Sequence, residues 1–282
     1  MTRLSIVIVT YNSNDHVHAC LTALTDRPPR ARHEILVVDN ASPDGTGAAV
    51  RQRWPVVRVI DAGTNVGFAR AANLGIRQSS GDLVLLLNPD TEVRSGAVDT
   101  LVATLVSNPD AAVVGPRLVD AHGRPELSFG AMIGPFAELR QKVLVRGSQR
   151  GLPVIRGYVD RLTRLPHAVD WVSGACLLVR RADAEAVGLL DERYFMYAED
   201  VDFCAALRAR GRTVLFTPAA EVVHVRGRSV ASAPGATAAA YRRSQLAFYD
   251  KHHPRWALLL RAYLKFRGRL PDMRIDPPRL RR

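Results

Sequence analysis

Short apolar runs recur through the first half of the chain, spaced by stretches of helical periodicity. Leu4–Val9 is apolar at nearly every position, and Ile35–Val38, Val56–Ile60, Leu83–Leu87 and Ala111–Gly115 repeat the pattern. Runs this short, without strict alternation, predict strands buried on both faces. Between them, Asp15–Leu24, Asp44–Arg53, Gly67–Gln78 and Ser95–Ser107 read as helices. Strands alternating with helices imply βαβ units and a mainly parallel central sheet with right-handed crossovers. Ligands of such α/β sheets bind beyond the carboxyl ends of the strands. Polar residues gather there: Thr10-Tyr11-Asn12, Asp39-Asn40-Ala41-Ser42, Asn65-Val66-Gly67 and Asn88-Pro89-Asp90.

The second half is less regular. Arg117–Val169 is rich in Gly, Pro and Arg and reads as loops with one short helix near Phe136–Val145. Order resumes at Asp170–Val179. A helix is predicted over Glu199–Arg210, with Gly211 as its C-cap. Strands Thr213–Phe216 and Glu221–Val225 follow, then a helix over Thr237–Asp250 and a basic tail.

Composition narrows the field. Of 282 residues 47% are apolar and 23% charged, enough for a sizeable core and too apolar for global disorder. The net charge of +12 favours anionic partners: nucleic acid, anionic lipid or phosphorylated substrates. Three widely spaced cysteines, Cys20, Cys176 and Cys204, form no CxxC pair, so neither a disulfide framework nor a zinc site is expected. The amino-terminal segment reads as a strand rather than a signal peptide. No stretch approaches the ~18 apolar residues of a membrane span. A cytoplasmic protein, peripheral on a membrane at most, is expected.

Five clusters could carry chemistry, each with a plain structural alternative. Asp39 ends a strand, where a carboxylate reaches a ribose or base, or else forms an Asx turn. The Asp44-Gly45-Thr46-Gly47 that follows lacks the third glycine of a dinucleotide fingerprint, which argues against a nicotinamide site. Gly67 opens a helix whose N-terminus suits an anion, with Arg70 and Asn73 at helical spacing, or Asn65 is an ordinary cap. Asp90 stands at a strand end, where a carboxylate can hold Mg²⁺ against phosphates or cap a turn. Glu199, Asp200 and Asp202 crowd one helical turn. Their repulsion suits one to be a general base, although the helix dipole alone favours acids there. His224 ends a strand ahead of Arg226 and Arg228, as a metal ligand with phosphate-binding arginines or as a structural hydrogen-bonder.

The order of these clusters resembles inverting glycosyltransferases of family 2, with the GT-A nucleotide-sugar-binding fold. The segments Trp171-Val172-Ser173-Gly174-Ala175-Cys176 and Gly188-Leu189-Leu190-Asp191-Glu192, running on to Glu199-Asp200-Val201-Asp202, are similar to the rhamnosyltransferase branch. The resemblance covers about Leu4–Ser229. It implies a GT-A domain over residues 1–230, with a nucleotide-sugar-binding half (1–116) and an acceptor-binding half (117–230), followed by C-terminal helices and tail (231–282). It implies that Thr10, Tyr11, Asn12 and Asp39 bind the nucleoside. Asn65, Gly67, Arg70 and Asn73 would line the nucleotide-sugar phosphates, aided by Arg228. Asn88-Pro89-Asp90 stands where the family has DxD, so Asp90, with His224, is the expected ligand of Mg²⁺ or Mn²⁺, and Asn88 a donor contact. Asp200 matches the family's base. Trp171, Ser173, Gly174 and Glu199 match the acceptor side.

The implied reaction moves a sugar from a dTDP- or UDP-sugar, with L-rhamnose the first expectation, to a glycan or polyprenyl-diphosphate-linked acceptor in cell-wall or surface polysaccharide synthesis. Other family 2 transfers (galactofuranosyl or glucosyl) and a non-catalytic nucleotide- or nucleic-acid-binding protein are the alternatives. Nucleic acid is disfavoured, because Asp90, Asp200 and Asp202 would repel a phosphate backbone. From Lys251 onward ten Lys and Arg face Asp272 and Asp276, so the tail holds +8 of the +12. Trp256, Leu259, Leu260, Tyr263 and Leu264 recur there at helical spacing. They predict either a basic amphipathic helix on the anionic inner face of the cell membrane or a helix packed on the domain.

Overall fold

The computed structural model describes residues 3–225 and 234–272. The first half alternates β1 (Leu4–Thr10), α1 (Asn14–Asp26), β2 (His33–Asp39), α2 (Thr46–Arg53), β3 (Arg58–Asp61), α3 (Phe68–Gln78) and β4 (Leu83–Leu87). After it come β5 (Thr91–Val93), α4 (Ala97–Val106), β6 (Ala111–Val119), β7 (Phe129–Gly130), α5 (Pro135–Gln149) and α6 (Pro153–Leu162). The remainder is β8 (His167–Val169), β9 (Trp171–Val172), β10 (Cys176–Arg180), α7 (Arg181–Ala186), α8 (Glu199–Ala209), β11 (Thr213–His224), α9 (Pro234–His252) and α10 (Pro254–Phe266).

One nine-stranded sheet runs β3-β2-β1-β4-β10-β6-β11-β5, with β8 also paired to β11. Strands β3, β2, β1 and β4 are parallel neighbours, as the βαβ pattern requires. Their apolar runs follow from burial on two sides. Leu4, Ile6 and Ile8 of β1 lie in one cluster with Val17, Leu21 and Leu24 of α1. Val7 and Val9 point to the other face, among Ala69, Ala72 and Ile76 of α3. Truncating Ile6 to Ala in such a layer costs about 2–5 kcal/mol.

Strand β10 runs antiparallel between β4 and β6, pairing Cys176 with Leu87. This reversal matters for the site. It brings the start of β10, and the Ser173-Gly174-Ala175 turn before it, to the same sheet end as the carboxyl terminus of β4. Strand β11 also finishes at that end, pairing His224 with Thr91 of β5. It is one strand where two are expected, its register shifting between Thr217 and Glu221, so a bulge bends the strand without ending it.

Within Arg117–Val169 the expected short helix near Phe136–Val145 is present as part of the longer α5, while the expectation of loops elsewhere is corrected by α6. Helices α5 and α6 each begin on a proline in the first turn, where the missing N–H is harmless. Gly147 lies inside α5 because Ile155 of α6 packs there. A Cβ on it would come within 2.2 Å of the Ile155 Cδ1. The real break is Gly151, in the left-handed region at φ +80°. Strand β3 begins later than expected, with Val56 exposed in the turn before it. At the far end, Phe248, Tyr249 and Ala257 of α9 and α10 form a third cluster with Tyr194 and Val201, so both helices pack on the sheet domain. No helix among the described residues is long and apolar enough to cross a membrane.

Candidate active site

Parallel pairing sets Thr10 beside Asp39 at the ends of β1 and β2. The fully buried Thr10 hydroxyl donates to Asp39 Oδ1 at 3.2 Å, and Ser42 Oγ donates to the same oxygen at 2.5 Å. Gly47 leaves the carboxylate its room, since a Cβ there would sit 2.8 Å from Asp39 Oδ2. Tyr11 is half-buried and Asn12 exposed, the latter at φ +50° with its N–H donating to Ser42 Oγ at 3.0 Å. These four residues form one rim. Asn40, not singled out from sequence, ties that rim to the next loop. Its Nδ2 donates to Asn65 Oδ1 at 3.0 Å and Gly67 O at 3.3 Å, and its Oδ1 accepts from Val66 N at 2.9 Å.

The start of α3 is fixed by close approach. Gly67 has φ +86°, and a Cβ there would lie 2.4 Å from Phe195 O. Phe68 N donates to that same carbonyl at 2.7 Å. Arg70, on the exposed face, pairs with Glu192 at 3.5 Å. Asn73 is placed otherwise than expected. It has no exposed surface, and its Nδ2 donates to Leu190 O at 2.8 Å and Glu192 Oε1 at 3.0 Å, while Leu190 N donates back at 3.1 Å. It braces the 190–192 loop. Helical spacing put it near Arg70 but could not tell the buried side of α3 from the open one.

Asn88 N donates to Ala175 O at 2.9 Å, which binds the Asn88-Pro89-Asp90 turn to the segment before β10. Asp90 Oδ1 lies 3.4 Å from His224 Nε2, and Val225 N donates to Asp90 O at 2.9 Å. The opposite ring nitrogen, His224 Nδ1, meets Glu126 Oε2 at 3.3 Å. Burial works against a charged imidazole, yet the hydrogen bonds to Asp90 and Glu126 outweigh it and raise the His224 pKa. Glu126 escaped the sequence reading because it lies in the stretch taken for loops. It is positioned by its own N–H donating to the O of Leu118, near the end of β6, at 2.8 Å. A cavity of about 480 Å³ between α5, α6 and the turn at 120–127 also has Glu126 in its wall.

The crowded acids of α8 sort into three roles. Tyr197 and Ala198 both lie in the left-handed region, at φ +73° and +67°, a strained turn that delivers the helix start. Asp200 Oδ2 accepts from Gly174 N at 2.8 Å and Oδ1 accepts from Val201 N at 2.8 Å. Burial raises the Asp200 pKa, with those two N–H groups opposing. Glu199 is buried with Oε2 unpartnered among the described residues, and burial followed by the charge of Asp200 pushes its pKa well up. Glu199 Oε2 thus lacks a donor, whereas both Asp200 oxygens accept backbone N–H groups that favour its charged form. Asp202 is fully engaged. It accepts from Tyr194 OH at 3.1 Å, Lys251 Nζ at 2.8 Å and His252 Nε2 at 2.6 Å. Gly174 and Ala175 are adjacent, so Asp200 and the Asp90 turn flank one short segment.

Residues 5–185 match the sequence profile described as Glycosyl transferase family 2. The chain belongs to that family. It is 33% identical to the N-acetylglucosaminyl-diphospho-decaprenol L-rhamnosyltransferase of Mycobacterium tuberculosis, over 95% of this chain and 94% of that one. Rhamnosyltransferase WbbL of Escherichia coli K12 is 24% identical over 78% of this chain and 82% of its own. Among solved structures, the mannosyltransferase PcManGT from Pyrobaculum calidifontis, in complex with GDP-Man and Mn²⁺, gives a TM-score of 0.60. The identity there is 18%, over 93% of this chain and 69% of that one. GalNAc-T7 with UDP, GalNAc and Mn²⁺ gives 0.59 at 17% identity over 80% of this chain, which spans 44% of that chain's length. At such identities the likeness establishes the fold, which is GT-A-like.

In this family 2 glycosyltransferase the remaining expected residues lie on the segment that leads to Gly174 or outside the described chain. Trp171 donates its indole N–H to Ala131 O at 2.9 Å and is half-buried. Ser173 N donates to Ser128 O at 2.8 Å, and Ser173 Oγ accepts from Ala175 N at 3.3 Å, which shapes the turn. Arg228 lies outside the described residues. Asp90 and His224 are a donor set suited to a hard divalent ion. No group of three or more His, Cys, Asp or Glu converges among the described residues. Two protein ligands completed by water and diphosphate oxygens is the habit of Mg²⁺ bound with phosphorylated substrates, so the residues fit.

Proposed function

We propose that this glycosyltransferase transfers L-rhamnose from dTDP-rhamnose, with inversion, to a polyprenyl-diphosphate-linked sugar in cell-wall polysaccharide synthesis. The observation that carries the mechanism is the sorting of the α8 acids. Asp202 is held by three donors, Glu199 Oε2 has no donor among the described residues, and Asp200 is the α8 acid that accepts from the Gly174 turn, its pKa raised by burial. The substrate assignment is supported by the rhamnosyltransferase relative, similar along almost the whole chain.

In this reading Tyr11, Asn12 and Asp39 receive the nucleoside, with buried Thr10 holding the Asp39 carboxylate from beneath. Gly67, Asn65 and Arg70 stand along the diphosphate. The acceptor hydroxyl sits near Trp171, Ser173 and Gly174. Asp200 takes the hydroxyl proton as the oxygen bonds to the anomeric carbon and the carbon–oxygen bond to the diphosphate breaks on the opposite face. Asp90 and His224 would hold a Mg²⁺ or Mn²⁺. That ion, when bound, offsets the charge growing on the departing diphosphate, a contribution of several kcal/mol. Glu126 keeps the His224 ring oriented.

The test is a donor panel with a lipid-diphosphate-linked acceptor: dTDP-rhamnose, UDP-galactofuranose and UDP-glucose, each with Mn²⁺, the product's anomeric configuration being read by NMR. Turnover with dTDP-rhamnose and one inverted linkage is the expected result. Preferential turnover of a UDP-sugar would replace the donor assignment, and a retained configuration would remove the single-displacement mechanism.

A further inference from the structure

Helix α10 is apolar over more of its surface than its packing on the domain uses. Ala257 and Leu264 are buried and Leu260 joins the cluster around Phe248. A second stripe of Trp256, Leu259, Tyr263 and Phe266 stands in the open, from 43% to 88% exposed. Helix α5 carries a matching stripe. Phe136, Leu139 and Val143, at i, i+3 and i+7, are 78%, 62% and 54% exposed. The two stripes meet at the helix N-termini. The Phe136 and Trp256 rings pack edge to face with centroids 6.3 Å apart, and His253 Nε2 donates to Ile133 O at 2.7 Å.

Cations dominate around this surface, and the exposed Asp250 beside α10 is taken up by Arg261. Glu138 is the one acid of α5, and it is turned inward, accepting from Tyr241, Gln245 and Tyr249. Helix α10 has no acid at all. Arg140, Arg146, Arg255, Lys265 and Arg267 are exposed and form no ion pair among the described residues. Aromatic and aliphatic side chains of this area, left in water, mark an interaction site. A rim of predominantly cationic side chains fits anionic headgroups, and Trp and Tyr suit the layer where headgroups meet acyl chains.

We infer that α5 and α10 together form a docking face for an anionic lipid bilayer. The face is built by the described helices and stands independently of the transfer reading. It also borders the acceptor side, since Trp171 donates to Ala131 O four residues before α5. Docking through it sets that side of the site against the membrane.

The test is co-sedimentation of the full chain with phosphatidylcholine–phosphatidylglycerol vesicles, against phosphatidylcholine alone, at low and high salt. The chain is expected to bind the anionic vesicles and to release at high salt. Two variants, Phe136→Ser with Leu139→Ser and Trp256→Ser with Tyr263→Ser, should each lower the partition coefficient at least about tenfold. All four positions are exposed, so folding is retained, as circular dichroism checks. Transfer to a water-soluble acceptor analogue should stay at the parent rate in both variants, which separates this result from the fate of the functional reading. Three outcomes overturn the inference. The parent chain fails to sediment with anionic vesicles. Both variants bind as well as the parent. Or the parent is a dimer in sedimentation velocity and the variants are monomers, which gives the face to a second copy of the chain.

Discussion

Replacing Asp200 by Asn changes the chemistry at that position with little change in shape. The amide oxygen can still accept from Gly174 N, as Asp200 Oδ2 does at 2.8 Å, so the turn beside β10 keeps its anchor. The variant loses the ability to take a proton. Removal of a positioned general base lowers turnover by roughly 10²–10⁴-fold, which at ~1.4 kcal/mol per decade is about 3–5 kcal/mol of transition-state stabilisation. Donor affinity should stay within about twofold, because Asp200 lies across the turn from the Asp39 rim and the Asp90 pair. The assay is nucleoside diphosphate release under saturating acceptor, with calorimetry for donor binding. The pH profile adds a second readout. Burial raises the Asp200 pKa, so the base form gains as pH rises through a value above the ordinary carboxylate range. The parent rate should climb there and the Asn variant should not. Asp202→Ala is the control. It strands Tyr194 OH in the core and takes from Lys251 one of its two carboxylates, Asp191 remaining, costing about 1–3 kcal/mol of stability while turnover of the folded fraction persists. If Asp200→Asn turns over within tenfold of the parent and Asp202→Ala abolishes turnover, the assignment of roles is wrong.

Other consequences are open to measurement. Glu126→Gln leaves the fold intact and weakens Mn²⁺ affinity by roughly 10–100-fold in titration calorimetry, because His224 loses the carboxylate that orients it. Glu199 holds its proton longer folded than unfolded, so its contribution to stability is complete below about pH 4.3 and is lost as pH rises through its raised folded value. Glu199→Gln should therefore raise the melting temperature at neutral pH and flatten that fall, as calorimetry across pH can register. Gly67→Ala forces a Cβ to within 2.4 Å of Phe195 O at a left-handed φ. A loss of about 1–3 kcal/mol or more in chemical denaturation is expected, together with weaker donor binding as α3 shifts from the 190–195 loop.

The parts of this fold that sequence exposed are those set by local pattern. The runs in β1, β2 and β4 are apolar because both sheet faces are covered, and a strand end followed by Asp or Asn says where the site lies. Pattern carries no direction, so β10, whose run resembles that of β4, did not reveal that it runs backwards and delivers Gly174 to Asp200. Within Arg117–Val169 one helix is legible, around Phe136–Val145, but glycines and prolines hide its full length and the whole of α6. Pro135 and Pro153 instead begin helices, and Gly147 makes room for Ile155. Glu126 and Asn40 act through partners 98 and 26 positions away, a relation that no window of sequence contains. Three neighbouring acids in α8 looked alike until Lys251, His252 and Tyr194 were seen closing around one of them.

The central claim is that the ends of β4 and β11 hold one divalent ion beside the nucleotide, across the Gly174 turn from Asp200. Anomalous diffraction at the manganese edge, from crystals of the full chain grown with Mn²⁺ and dTDP, tests it most directly. One peak ligated by Asp90 and His224 and touching the diphosphate is the expected result. A peak coordinated by other residues, or a diphosphate bound away from Asp90, would contradict it.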